Sequence, residues 1–339
     1  MRTVHVAVDA HNLARDERGI GRYARAVLVR ALPDPQFRWT LVVRDLFPKR
    51  GAIARALDGA QAAVARSVPS DADVVWFPWN GTFLRTDVPS VATVHDAAPF
   101  AYPHPEPRIR TREQTPFLVT ASTARRILVQ SAFTAGEVER RLGVPAERIV
   151  VTPLGVDAAF APGPSAPPAP LAGKRYVLHV GAHDERKNTA TLIEAHRRAF
   201  YAGDVALAFT RRPPQVPPGG VVVEARDDAA LTALYRGATL VAMPSPYEGF
   251  GLPMLEAMAS GTPVLAARAG ALPEVGGDAA AYVDDAFDAD AWAVALRALV
   301  AGEATRTALR ARGLARAATF TWERCTAQTL SVLRDVAGA

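Results

Sequence analysis

The chain of 339 residues has one cysteine, Cys325, and three lysines, Lys49, Lys174 and Lys187. It has no apolar run near the length of a membrane span. A single cysteine excludes an internal disulfide and a cysteine-based zinc cluster, and the helical pattern around it suggests packing. A spanning helix needs about 20 consecutive apolar residues, and residues 1–9 lack a signal-peptide core, so a cytoplasmic protein is expected. Because arginine supplies most of the 39 basic residues, a lysine retained in a loop stands out. The net charge of +5 allows a phosphate-bearing partner, whether nucleic acid, anionic lipid or nucleotide, without choosing among them. With 49% hydrophobic and 22% charged residues, the composition is that of a globular protein long enough for two domains.

What is present is densest at residues 244–258, Pro-Ser-Pro-Tyr-Glu-Gly-Phe-Gly-Leu-Pro-Met-Leu-Glu-Ala-Met. The apolar run 239–243 reads as a buried strand that Pro244 and Pro246 end. Pro253 suits the first turn of a helix, and Leu255, Met258 and Ala259 share one face of it. The amides of Gly249, Phe250, Gly251 and Leu252 then lie in a glycine-rich turn at a helix N-terminus, a place suited to phosphate. Glu248 and Glu256 can accept hydrogen bonds from sugar hydroxyls. Two carboxylates repel a phosphate, so such a site needs cations from elsewhere in the chain.

Residues 181–188, Gly-Ala-His-Asp-Glu-Arg-Lys-Asn, offer those cations after the apparent strand 176–180 and before a helix at 189–200. Arg186 can grip phosphate oxygens in pairs and Lys187 as a point charge. Nearer the N-terminus, residues 19–24 fit the G-x-G-x-x-A pattern of dinucleotide sites. However, nine residues separate Asp9, the end of the first strand, from Gly19, so the tight strand-to-helix turn is missing. Strands are expected at 3–8, 39–44, 73–77 (ended by Pro78), 91–94, 127–130 and 149–151. Helices are expected at 52–66 and at 134–142, the second capped by Thr134 with Glu137. His95 and Asp96 stand at a strand's carboxyl end, where a parallel sheet places its ligand crevice, and can serve acid–base chemistry or simply bond to backbone. Residues 108–126 form a basic helical stretch open to two readings, a membrane- or acceptor-facing surface or a solvated face. The proline-rich run 161–170 reads as a stiff interdomain linker. Asp71-Ala72-Asp73 and Asp288-Ala289-Asp290 read as a strand lead-in and a helix start, so no metal is expected.

The stretch from Tyr247 to Val264, with Glu248 and Glu256 as E-x7-E, resembles the signature of glycosyltransferase family 4, retaining sugar-nucleotide enzymes of bacterial surface-polysaccharide type. Thr93-Val94-His95-Asp96 and Leu154-Gly155-Val156-Asp157 resemble further motifs of that family. The resemblance implies an α/β GT-B fold, two Rossmann-like domains with parallel sheets facing an interdomain cleft. Residues 1–160 would form the acceptor domain and 171–320 the nucleotide-sugar domain, with 322–339 packing back on the first. It also implies that Glu248 and His95 approach the donor sugar, Glu256 the ribose, the 249–252 amides the sugar and diphosphate, and Gly19 and Gly21 the donor phosphate and acceptor. Asp96 is assigned to the acceptor. Relatives often place arginine after the loop glycine where this chain has Ala182, which thins the phosphate clamp. The expected reaction moves a hexose, mannose or rhamnose-like, from a nucleoside diphosphate sugar, GDP-mannose as first candidate, to a glycan or lipid-linked oligosaccharide. No cofactor, metal or nucleic acid is expected, and peripheral contact with an anionic membrane at the inner face is left open. The alternatives are a sugar-nucleotide epimerase of the same fold, an NAD-dependent oxidoreductase resting on residues 19–24, and a lipid-surface module resting on 108–126.

Overall fold

Strands flanked by helices on both faces of a parallel sheet are apolar almost throughout, and stretches such as Val-Val-Trp-Phe at 74–77 have that character. The computed structural model describes the chain except residues 1, 17–18, 46, 48–49, 83, 85, 184, 201–203 and 339. Lys49 and Asp184 therefore lie outside the described residues. Two compact units emerge, Met1–Gly155 with Thr321–Ala339, and Val156–Phe320.

In the first unit seven parallel strands, β1 (Val4–Asp9), β2 (Phe37–Val42), β3 (Ala63–Ala65), β4 (Val74–Asn80), β5 (Ser90–Thr93), β6 (Arg126–Val129) and β7 (Ile149–Val151), lie in the order β3-β2-β1-β4-β5-β6-β7. One face packs Val75, Phe77, Ala92, Val94, Ile127 and Val129 against Phe117 and Val138. On the opposite side the helix Gly19–Ala31 buries Tyr23, Val27 and Leu28 and packs on the final helix, Trp322–Ala337. That final helix also contacts β1, β4, β5 and β6.

In the second unit the six parallel strands β8 (Tyr176–His179), β9 (Ala206–Phe209), β10 (Gly220–Val222), β11 (Leu240–Met243), β12 (Val264–Ala267) and β13 (Ala281–Val283) run in the order β10-β9-β8-β11-β12-β13. Val177, Phe209, Leu240 and Leu265 pack there against Leu192, Trp292 and Leu296 from the helices Thr189–Ala199 and Ala289–Ala301. In each sheet the strand order reverses beside the first strand of its unit, between β1 and β4 and between β8 and β11. Such a switch point opens a crevice at the strands' carboxyl ends.

Four local expectations change. Residues 52–66 are not one helix: the helix Arg50–Ala56 stops before Asp58 and Gly59, both at positive φ, and β3 pairs with β2 instead. Alanine's helix preference yields there to a free sheet edge. β4 does not end at Pro78 but runs to Asn80, its register against β5 shifting between Phe77 and Asn80, because proline has no N–H to give the ladder. The helix Ala132–Leu142 is capped by Ser131, whose side chain accepts from Thr134 N at 3.0 Å. The chain enters the second unit at Val156, ahead of the proline-rich run. That run lies against the second unit: Gly163 sits under the Arg236 guanidinium, and Pro167 beside Gly237.

Candidate active site

In the second unit the switch point places the loop after β8 beside the loop after β11, since these strands are neighbours in register, Leu240 opposite Val177. The β8 loop begins at Gly181, whose φ of 119° is open to glycine, and whose amide donates to Thr210 Oγ1 at 3.1 Å. It closes in a short turn, Glu185–Lys187, followed by Asn188 at φ 49°. The Asn188 side chain donates to the Pro244 carbonyl at 3.2 Å and the Ala286 carbonyl at 2.6 Å. The turn is thus tied to the β11 loop directly.

Its two cations converge on one acid. Lys187 Nζ lies 2.5 Å from Glu248 Oε1, and Arg186 Nη1 lies 3.6 Å from Oε2. Glu248 is buried. Burial alone would raise its carboxyl, but the charges of Lys187 and Arg186, with hydrogen bonds from Lys187 and Ser245, outweigh that and hold it below the usual range. The Glu248 carbonyl accepts from Ala271 N at 2.9 Å. Gly270, at φ 58°, lies so close that a Cβ there would meet Glu248 N at 2.7 Å. From Gly251, at φ 102°, the helix Leu252–Ala259 begins with a proline in its first turn. Glu256 stands in the second turn of this helix. It is buried and accepts from Tyr235 Oη at 2.9 Å.

In the first unit His95 Nε2 lies 2.9 Å from the Pro78 carbonyl. A carbonyl only accepts, so Nε2 carries the hydrogen and Nδ1 is the ring's acceptor. Burial, only partly opposed by Pro78 and nearby carboxylates, lowers the ring's pKa and so favours the neutral ring. Tyr23 packs edge-on against it at 5.0 Å. Asn80 ties the strand ends together, accepting from His95 N at 2.8 Å and approaching Asp96 Oδ1 at 3.4 Å. Asp96 also accepts from Ala98 N at 3.1 Å. Gly19 and Gly21 form the first turn of their helix. A Cβ at Gly21 would overlap the Asp16 carbonyl, to which Arg25 Nη1 donates at 2.6 Å.

Several residues the sequence reading passed over belong to this architecture. Asn188 follows the two cations in the sequence and carried a signal; Ser245, Tyr235, Gly270 and Asn80 carried none. The acidic pairs have structural partners: Asp71 with Arg38 at 2.7 Å, Asp73 with Arg2 at 2.8 Å, Asp290 with Arg198 at 2.7 Å, and Asp288 as a helix cap. Asp45 pairs with Arg15 at 2.9 Å. The basic stretch forms the helix Pro107–Thr123, with Arg108, Arg112 and Leu118 exposed. Among the described residues no helix is long and apolar enough to cross a membrane.

Known proteins resemble this chain throughout. Residues 3–160 match the family described as Glycosyltransferase Family 4, and residues 221–316 that described as Glycosyl transferases group 1. The O-antigen chain mannosyltransferase B of Escherichia coli is 34% identical over 272 residues, covering 72% of this chain and 70% of that protein. Sucrose-phosphate synthase from Thermosynechococcus elongatus superposes with a TM-score of 0.72 at 19% identity, over 99% of both chains. The Anabaena protein HepE, solved with UDP and glucose, superposes with a TM-score of 0.71 at 15% identity, over 98% of this chain and 99% of that one. Both likenesses are of the GT-B fold.

Proposed function

The chain belongs to glycosyltransferase family 4, and we propose that it transfers a hexose, with mannose the first candidate, from a nucleoside diphosphate sugar to a hydroxyl of a glycan or lipid-linked glycan. The donor base and the acceptor are part of the proposal, as are retention at the anomeric carbon, independence from metal and a place in bacterial surface-polysaccharide synthesis. The second unit takes the nucleotide and the first the acceptor. The observation that carries this reading is the meeting of Lys187 and Arg186 with Glu248 at the switch point of the second sheet. The name of the Escherichia coli relative supports mannose and a surface polysaccharide.

In this reading the diphosphate takes over Lys187 and Arg186, and Glu248, released from Lys187, accepts from a hydroxyl of the donor sugar. Amides of residues 249–252 support the diphosphate, and Glu256, oriented by the Tyr235 phenol, takes the ribose. His95, neutral, offers Nδ1 as acceptor to a sugar hydroxyl. The acceptor oxygen bonds to the anomeric carbon as the bond from that carbon to the phosphate oxygen breaks, and the acceptor's proton passes to the departing phosphate on the same face. The cations and amides stabilise the charge that grows on the leaving group. Contact with an anionic membrane is assigned to Arg108, Arg112 and Leu118. A thermal-shift panel of nucleoside diphosphates and their sugars tests the donor: GDP and GDP-mannose should raise the melting temperature most. Product analysis without acceptor should reveal no epimer, and an epimer would favour the epimerase reading.

A further inference from the structure

Behind the two cations, a chain of four close polar contacts crosses the second unit. His179 Nδ1 faces the Ala242 carbonyl at 3.2 Å, and its Nε2 faces Thr189 Oγ1 at 3.2 Å. Thr189 Oγ1 faces His183 Nδ1 at 3.0 Å, and His183 Nε2 faces the Arg211 carbonyl at 2.7 Å. Each contact needs one hydrogen. The two terminal carbonyls supply none, the threonine hydroxyl supplies one, and two neutral imidazoles supply one each. The neutral array is therefore one hydrogen short, so whatever the tautomers, one contact sets lone pair against lone pair.

Resting on the donor-site reading above, we propose that His183 is a positioning residue that holds the Arg186–Lys187 turn as an imidazolium, its extra proton completing the His179–Thr189–His183 array. The proton belongs on His183 rather than on His179. His179 is buried, and burial, with the charge of Lys187 beside it, lowers its ring to about 4. His183 is half-exposed and borders a cavity whose wall includes Glu185 from its own loop and Glu194 and Arg197 from the helix Thr189–Ala199. Lys187 and Glu248 act on the array from the side of the clamp. Arg211 meets it with its carbonyl, β11 with the Ala242 carbonyl, and Phe209 lies against both rings. Asp184 adjoins His183 in sequence and lies outside the described residues.

Gly181 and Asn188 tie the ends of the loop to Thr210, Pro244 and Ala286, and His183 holds its middle. When the fourth hydrogen leaves, the middle loosens and the cations lose their fixed place opposite Glu248. Added negative charge from a diphosphate favours the proton, so donor binding and protonation support each other. The protonated state binds better: affinity is full at low pH and falls as pH rises through the titration of the array.

Two measurements on the whole protein test this. Nitrogen-15 spectra of the histidine rings, assigned by difference against His183→Gln and recorded without ligand, should have both His183 nitrogens protonated at the acid end of the imidazole range, about pH 5 to 8. A single N–H throughout overturns the proposal. GDP binding by calorimetry over the same range should weaken with rising pH, by at most about tenfold per pH unit for one linked proton, beyond the slope of His183→Gln. Titration of the GDP phosphates is common to both proteins. Glutamine mimics only a neutral imidazole, so its binding should be weaker at the acid end. Thr189→Ser should keep the wild-type slope and Thr189→Val lose it, and equal slopes in wild type and His183→Gln refute the linkage. If wild type binds no GDP at any pH, the donor-site reading fails and the linkage with it, whereas the proton count still stands or falls on the ring spectra alone.

Discussion

Lys187 and Glu248, 61 residues apart in sequence, meet with Nζ and Oε1 at 2.5 Å, both side chains largely buried. Neither is tolerable there alone, because an unpaired buried charge loses hydration that nothing replaces.

Lys187→Met should therefore destabilise the protein by about 3 kcal/mol, at the lower end of the range for breaking a buried pair because Arg186 still faces Glu248. The double variant with Glu248→Gln should recover most of that stability while turnover remains lost. Urea denaturation and donor-turnover assays would be run on the same samples. Recovery of turnover in the double variant would place both residues outside the reaction.

Because its carboxyl is held below the usual 4.5, Glu248 contributes stability that is present above that value and lost as pH falls through its lower folded pKa. The melting temperature of wild type should accordingly decline below about pH 4.5 more steeply than that of Glu248→Gln. Parallel profiles would mean that the carboxylate is not stabilised in the fold.

If Glu256 holds the ribose, Glu256→Ala should weaken GDP binding by about 1 to 3 kcal/mol, the range for hydrogen bonds to a charged group. Tyr235→Phe should weaken it less, since it removes only the phenol that orients the acid. Calorimetry at one pH is sufficient. Unchanged affinity in a folded Glu256→Ala protein would take the residue out of the site.

Gly270→Ala should cost more than strain alone, which is about 1 to 3 kcal/mol for a side chain in the left-handed region. Gly59→Ala is the control, being at φ 83° with nothing within 4 Å of an added Cβ. Gly270→Ala should also lose turnover through displacement of Glu248, and Gly59→Ala should keep it.

Turnover should persist in excess chelator, because protein cations serve the departing diphosphate in the proposed reaction. Loss reversed by magnesium or manganese would require a bound metal.

By itself the sequence determined the classes of element and the reactive groups. Strand runs and the glycine-proline turn before Leu252 act over a few neighbouring residues, so they are legible without a fold. The E-x7-E stretch is equally local, and it carried the family. Tertiary structure decided which groups meet. Lys187 reaches Glu248 because β8 and β11 are neighbours where the strand order reverses, a property of the whole sheet. Ala63–Ala65 became a strand because the edge of β2 was open, and β4 ran past Pro78, bringing Asn80 to His95 and Asp96. The proton on His95 Nε2 is set by the Pro78 carbonyl, and the missing hydrogen between His179 and His183 by two carbonyls, from Ala242 and Arg211. No spacing in the sequence encodes those contacts, because they depend on long-range strand order, and hydrogen bonding can be counted only once all partners are in place.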